Sequence, residues 1–151
     1  MIFCSLGVAV RAEVFNSEHY RLEVTTVVNG LRSPWGLAFL PDGRMIVTER
    51  AGGIRIVTPA GKMSPRLSGM PEVYARNQGG MLDVAVDPEF FGNDIIYFSF
   101  AEPGARGAST AVARARLVVA DNRLDDVKVI FRQIPKSHGG RHFGSRLVFS
   151  R

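Results

Sequence analysis

A pair of histidines stands in the glycine-rich stretch Lys136-Ser-His-Gly-Gly-Arg-His-Phe-Gly144, immediately before the apolar run of residues 146–149. Gly139, Gly140 and Gly144 allow backbone angles that other residues resist, and they let a ligand approach the chain closely. His142 is bracketed by those glycines and is the candidate catalytic residue. An imidazole titrates near neutral pH, so it can take the proton of an alcohol and pass it on. The plainer alternative is a loop histidine held by a backbone hydrogen bond, and His138 has a weaker claim still. The chain holds three histidines, without an HxH or HExxH spacing and without a carboxylate nearby, which speaks against a histidine metal site.

A second polar, glycine-rich approach, Arg76-Asn-Gln-Gly-Gly-Met81, precedes another apolar run. Gln78 there offers one acceptor and two donors to a polar ligand, or else serves as an ordinary hydrogen-bonded loop glutamine. The third feature is Leu31-Arg-Ser-Pro-Trp-Gly36, which carries the single tryptophan. Trp35 can stack on a ring, but the commoner fate of such a residue is the core, and its indole N–H needs a partner either way. No Gly-x-Gly-x-x-Gly, Gly-x-x-x-x-Gly-Lys or Gly-x-Ser-x-Gly motif occurs, so nothing points to a nicotinamide, flavin or nucleoside triphosphate site.

Short strands must position these residues. Residues 23–28 are β-branched and end at Asn29-Gly30. Residues 35–40 alternate and run into Pro41-Asp-Gly43, a turn in which proline presets φ, aspartate caps and glycine accepts positive φ. Strands at 44–49 and 54–57 follow. The pattern then recurs: residues 81–86 match 35–40 in shape, with Phe39 and Val86 47 positions apart, and strands at 95–100, 110–117 and 128–131 come after them. Residues 146–149 open a third copy, with Phe149 63 positions beyond Val86. A repeat of about 45 residues with about four short strands is the signature of a propeller, the alternative being an antiparallel sandwich. No stretch carries a 3.6-residue stripe of helix length. Equivalent propeller loops converge on one end of the central channel, so Gln78 and His142 are expected to face one pocket. Two blades and a stub leave strand edges uncovered, and the chain reads as incomplete.

At 151 residues, 46% hydrophobic and 22% charged, the chain fits one globular domain rather than a disordered segment. Its net charge of +5 comes from sixteen arginines against three lysines, scattered without a basic run, which argues against nucleic-acid binding. Cys4 alone cannot make an internal disulfide. Residues 1–10 are apolar and too short to span a membrane, and Val10-Arg-Ala12 before Glu13 resembles a small-residue cleavage site. Residues 1–12 therefore read as a truncated secretory signal and imply a periplasmic or secreted protein. Residues 13–26 are a lead-in, and residues 27–151 are a propeller domain incomplete at its C-terminus.

Taken together, Ser33-Pro-Trp-Gly-Leu-Ala-Phe-Leu-Pro-Asp-Gly43, Val47-Thr-Glu-Arg50, Gln78-Gly-Gly-Met-Leu-Asp-Val-Ala85, Tyr97-Phe-Ser-Phe-Ala-Glu102 and His142-Phe-Gly-Ser-Arg-Leu-Val-Phe149 resemble a known family. They are similar to the soluble quinoprotein glucose and aldose sugar dehydrogenases, the glucose/sorbosone dehydrogenase family, from about Val27 to Arg151. The resemblance implies an all-β fold, a six-bladed β-propeller of which this chain supplies about two blades and the start of a third. It implies an oxidoreductase that oxidises the C1 hydroxyl of aldose sugars to lactones with pyrroloquinoline quinone and passes electrons to an external acceptor. His142 matches the family's general base, which takes the C1 hydroxyl proton while hydride passes to the quinone C5 carbon. Gln78 matches a residue that hydrogen-bonds the quinone. Calcium in the family binds the cofactor and polarises its carbonyl. Its ligands, like the basic cofactor clamps, are expected outside this chain, which alone is expected to be inactive.

One departure from the family is Arg141, where a smaller polar residue is expected before the base. A guanidinium there can change the tuning of the base or contact the sugar. The implied partners are an aldose and an electron acceptor, without nucleic acid or a membrane span, and a homodimer is left open. The competing readings are a non-catalytic propeller that binds sugar or protein on the same face, and a lactonase-like hydrolase. Asp83, the only acidic residue in either pocket strand, counts against the hydrolase.

Overall fold

A computed structural model describes residues 12–150, and the regular structure there is almost entirely antiparallel β-strand. Residues 1–11, with Cys4 and nearly all of the expected signal segment, lie outside the described residues. Ala12 opens β1 (Ala12–Asn16), which pairs with β2 (Arg21–Thr25) in a separate hairpin. A three-stranded meander follows, made of β3 (Pro34–Phe39), β4 (Met45–Glu49) and β5 (Gly53–Val57). A four-stranded one comes next, made of β6 (Met81–Val86), β7 (Ile95–Gly104), β8 (Gly107–Val118) and β9 (Arg123–Arg132). The only α-helix among the described residues is a single turn, α1 (Phe90–Asn93).

Turn chemistry places the strands. Gly43 takes a φ of +84°, and Arg44 N–H donates to Asp42 Oδ1 at 3.1 Å, so Pro41-Asp-Gly43 closes the β3–β4 hairpin in the expected way. Between β6 and β7, Asp87 Oδ1 accepts from Glu89 N–H at 2.8 Å and from Asn93 Nδ2 at 3.0 Å, which folds the connection into α1.

The two meanders pack face to face, with β3 and β6 as their inner strands. Both carry a bulge at the same place, between Pro34 and Leu37 in β3 and between Met81 and Val84 in β6. The offset is the 47 positions that separate Phe39 from Val86. Hydroxyls stitch the repeats together by one recurring pattern. Gly36 N–H donates to Thr48 Oγ1 at 2.8 Å, and Asp83 N–H, its equivalent, donates to Ser99 Oγ at 3.0 Å. Each hydroxyl then donates onward: Thr48 to Leu82 O at 2.6 Å, and Ser99 to Ser145 O at 2.8 Å. Gly36 allows the close approach, because a Cβ there would lie 2.9 Å from Leu82 O. Behind this seam Ile46, Ile54 and Ile56 pack with Met81, Ile96, Phe98 and Phe100 in one core. Each such fully buried side chain stabilises by about 1.5–3 kcal/mol.

Two sequence expectations change. Residues 23–28 do not join the first repeat: β2 ends at Thr25 and pairs only with β1. The outer edge of β5 is bonded instead by a loop, with Ser64 N–H to Ile56 O at 2.8 Å and Leu67 N–H to Ile54 O at 2.9 Å. Residues 146–149 form no strand. Leu147 N–H donates to Asp83 Oδ2 at 2.7 Å, so side chains partner this backbone where a neighbouring strand would make a ladder. The segment nevertheless occupies the third copy's place, since Ser145 repeats the role of Leu82 at the same spacing of 63.

Candidate functional site

The loops that precede β6 and residues 146–149 meet at one end of the seam, as the repeat requires. They bound an open hollow of about 460 Å³ with His142, Gln78, Trp35 and Arg50 on its walls and Leu82 and Phe143 beneath. His142 and Gln78, 64 positions apart, are joined directly: His142 N–H donates to Gln78 Oε1 at 3.0 Å. The two loops also lock through Gln78 N–H to Gly140 O at 3.2 Å. Gly140 has φ +60°, and a Cβ on it would fall 2.7 Å from Asn77 Nδ2, so glycine lets the loops close on each other.

His142 itself sits at φ +60°, a left-handed conformation that non-glycine residues rarely hold without outside support. Its neighbour Phe143 is buried against Leu82, Ala101 and Ala108, with its ring 6.4 Å from that of Tyr74. An exposed imidazole is thus carried on a buried anchor, which leaves the ring free for chemistry with a ligand while its backbone is fixed.

Trp35 does not enter the core. It is 52% exposed at the hollow, and its Nε1–H donates to Ser145 Oγ at 3.1 Å. With that donor satisfied, the indole presents an apolar face to a flat or ring-shaped ligand. The loop leading to it is held by Glu49, whose Oε1 accepts from Arg32 N–H at 2.8 Å. Glu49 is fully buried and lies 2.8 Å from Arg66 Nε and 3.1 Å from Arg55 Nε. Burial works against its charge, but the Arg32 amide and the two guanidinium groups outweigh it and hold the carboxyl below its usual range.

Sequence reading did not single out Arg50 as a site residue. It follows the end of β4, and its Nη1 donates to Asn77 O at 2.9 Å and Gly79 O at 3.2 Å. Its place one residue after a strand, at the end where β6 begins, was the available signal. His138 and Arg141 are exposed and do not line the hollow. Asp83 is buried and occupied, accepting from Leu147 N–H, with Arg146 Nη1 at 3.7 Å from its other oxygen. Among the described residues no group of three His, Cys, Asp or Glu gathers. No described helix is long and apolar enough to cross a membrane.

The Gln78 carboxamide NH₂ makes no hydrogen bond to protein among the described residues, and apart from its chain neighbours no atom comes within 4 Å of where a Cβ on Gly144 would stand, so the hollow is open there.

Residues 31–151 match the Glucose / Sorbosone dehydrogenase family. The Escherichia coli (strain K12) aldose sugar dehydrogenase YliI is 42% identical over 130 residues, which are 85% of this chain and 35% of that protein. The soluble aldose sugar dehydrogenase of Escherichia coli, solved in its apo form, superposes with a TM-score of 0.75 at 43% identity, over 79% of this chain and 35% of its own. The aldose sugar dehydrogenase of Streptomyces coelicolor, solved with PQQ bound, gives a TM-score of 0.65 at 28% identity, over 85% of this chain and 36% of its own. The chain spans about a third of the length of these relatives, and the two meanders are successive blades of a β-propeller.

Proposed function

This chain belongs to the Glucose / Sorbosone dehydrogenase family, and on that premise we propose that the whole protein oxidises the C1 hydroxyl of aldose sugars to the lactone, with His142 as general base. The observation that carries the reading is the junction of His142 with Gln78 at one hollow, 3.0 Å from amide nitrogen to carboxamide oxygen. Pyrroloquinoline quinone, when bound, supplies the two-electron acceptor for the hydride that leaves C1. A neutral ring nitrogen of His142 accepts the C1 hydroxyl proton as that hydride departs and later releases it to solvent. Gln78 holds the His142 backbone with its carbonyl oxygen and keeps its NH₂ for a cofactor carbonyl. Trp35 offers a stacking face at the rim, and Arg141 stands beside the base on the solvent side. Calcium ligands and further cofactor contacts are expected outside these 151 residues, which alone are expected not to turn over sugar. Export to the periplasm or beyond and delivery of electrons to an external acceptor complete the proposal.

The test is dye reduction by the protein at its natural length, with quinone, calcium and a panel of aldoses. His142→Ala is expected to lower kcat by about 10²–10⁴-fold, the usual worth of a positioned base, with the fold intact. Quinone-independent inactivity of the wild type would instead leave a propeller that binds without catalysis. An activity untouched by the substitution would remove His142 as the base.

A further inference from the structure

We propose that Arg50 is a positioning residue that presents His142 to the hollow by acting through Gln78. The inference rests on the reading of His142 as the base, and it assigns the task of holding that base to the preceding blade. Gln78 is flanked by Asn77 and Gly79, and the carbonyls of both neighbours accept from the same nitrogen, Arg50 Nη1, at 2.9 and 3.2 Å. One guanidinium thus pins the 77–78 and 79–80 peptides, which bracket Gln78. Gln78 in turn is the group that partners the His142 amide.

The rest of the loop is shaped around this clamp. Asn77 sits at φ +51°, so the chain turns sharply just before Gln78. Gly80 has φ +150°, and a Cβ there would stand 2.3 Å from Arg50 O, which leaves room for glycine alone. Arg50 O also accepts from Met81 N–H at 3.0 Å, so backbone and side chain of one residue grip both ends of the segment 77–81. A lysine carries its three donors on a freely rotating ammonium at the end of a flexible stem, whereas the planar guanidinium is preorganised and its geometry is fixed once the side chain is placed. His142 at φ +60° needs such support, because nothing in its own backbone preference keeps it there. The order of action is therefore Arg50, then the 77–79 peptides, then Gln78, then the His142 backbone.

Amide hydrogen exchange followed by NMR tests this without any turnover. In Arg50→Met the His142 amide is expected to exchange at least tenfold faster, while the ladder amides of Ile46 and Phe98 keep their rates. Arg50→Lys, which retains a donor, is expected to recover part of the protection. Gln78→Ala alone should speed the same amide, and adding it to Arg50→Met should bring little further change, because both act on one chain of contacts. Unchanged His142 exchange in Arg50→Met would overturn the proposal. So would an equal acceleration at Ile46 and Phe98, which would make Arg50 a general brace between blades. Failure of quinone-dependent sugar oxidation would count against the dehydrogenase reading and leave this result standing on its own.

Discussion

Replacing Thr48 by valine tests the hydroxyl seam that sets one blade against the next under the site. The side chain is fully buried, and its oxygen accepts from Gly36 N–H at 2.8 Å while donating to Leu82 O at 2.6 Å. Valine keeps the shape and removes both bonds, leaving an amide and a carbonyl in a place water does not reach. A buried polar group deprived of its partner costs about 1–3 kcal/mol, so two of them together give about 2–4 kcal/mol after partial relaxation. Thr48→Ser keeps the hydroxyl and loses one methyl, at about 1 kcal/mol. Urea unfolding followed by circular dichroism, with the three proteins compared at equal m-value, reads the difference. The expected order is wild type, then serine, then valine, with valine at least 1 kcal/mol below serine. Valine as stable as serine would refute the reasoning, because it would mean that packing and not the hydroxyl holds the seam.

Two further outcomes follow from the same geometry. Glu49 has a folded pKa below its unfolded value, so its charge contributes stability that is complete above the unfolded pKa of ~4.3 and is lost as pH falls through the folded one. Glu49→Gln should therefore be less stable than wild type at pH 7 and show a shallower loss below pH ~4.3, measured as unfolding midpoint against pH. Asp42, Asp87, Glu102 and Asp125 shift in the same direction and keep part of the acid limb in the variant. Trp35 is the only tryptophan and lies half-exposed at the hollow, so its fluorescence reports the site directly. Ser145→Ala should shift that emission by freeing the indole N–H, and binding of pyrroloquinoline quinone should quench it. Titration without any quenching would place the ligand elsewhere.

Much of the architecture was readable in local chemistry. Period-two alternation with Gly, Pro and Asp turns marks β3–β4 and β6–β7, and a strand pattern of this kind needs no distant partner to be recognised. The 47-residue offset returned as matching bulges in β3 and β6, and the offset of 63 returned as matching hydroxyl bonds to Leu82 and Ser145. Because equivalent loops of a repeat come to the same end of the seam, the meeting of Gln78 with His142 also followed from sequence.

The rest was decided by partners remote along the chain. Whether residues 23–28 join the first blade depends on which partner they meet: residues 21–25 pair with β1, and the loop at 64–67 bonds the outer edge of β5. Whether residues 146–149 form a strand depends on a ladder partner, and what the preceding blade offers is a side chain, Asp83, to the Leu147 amide. Trp35 stands at the rim and not in the core, and the partner of its indole N–H, Ser145, lies 110 positions away. Arg50 reads in sequence as one more solvated arginine, and only the close approach of two blades turns it toward the carbonyls beside Gln78. Sequence determines the elements and their repeat through local propensity and turn chemistry. Tertiary structure decides which polar groups are buried together, since a buried donor must find its acceptor wherever in the chain that acceptor lies.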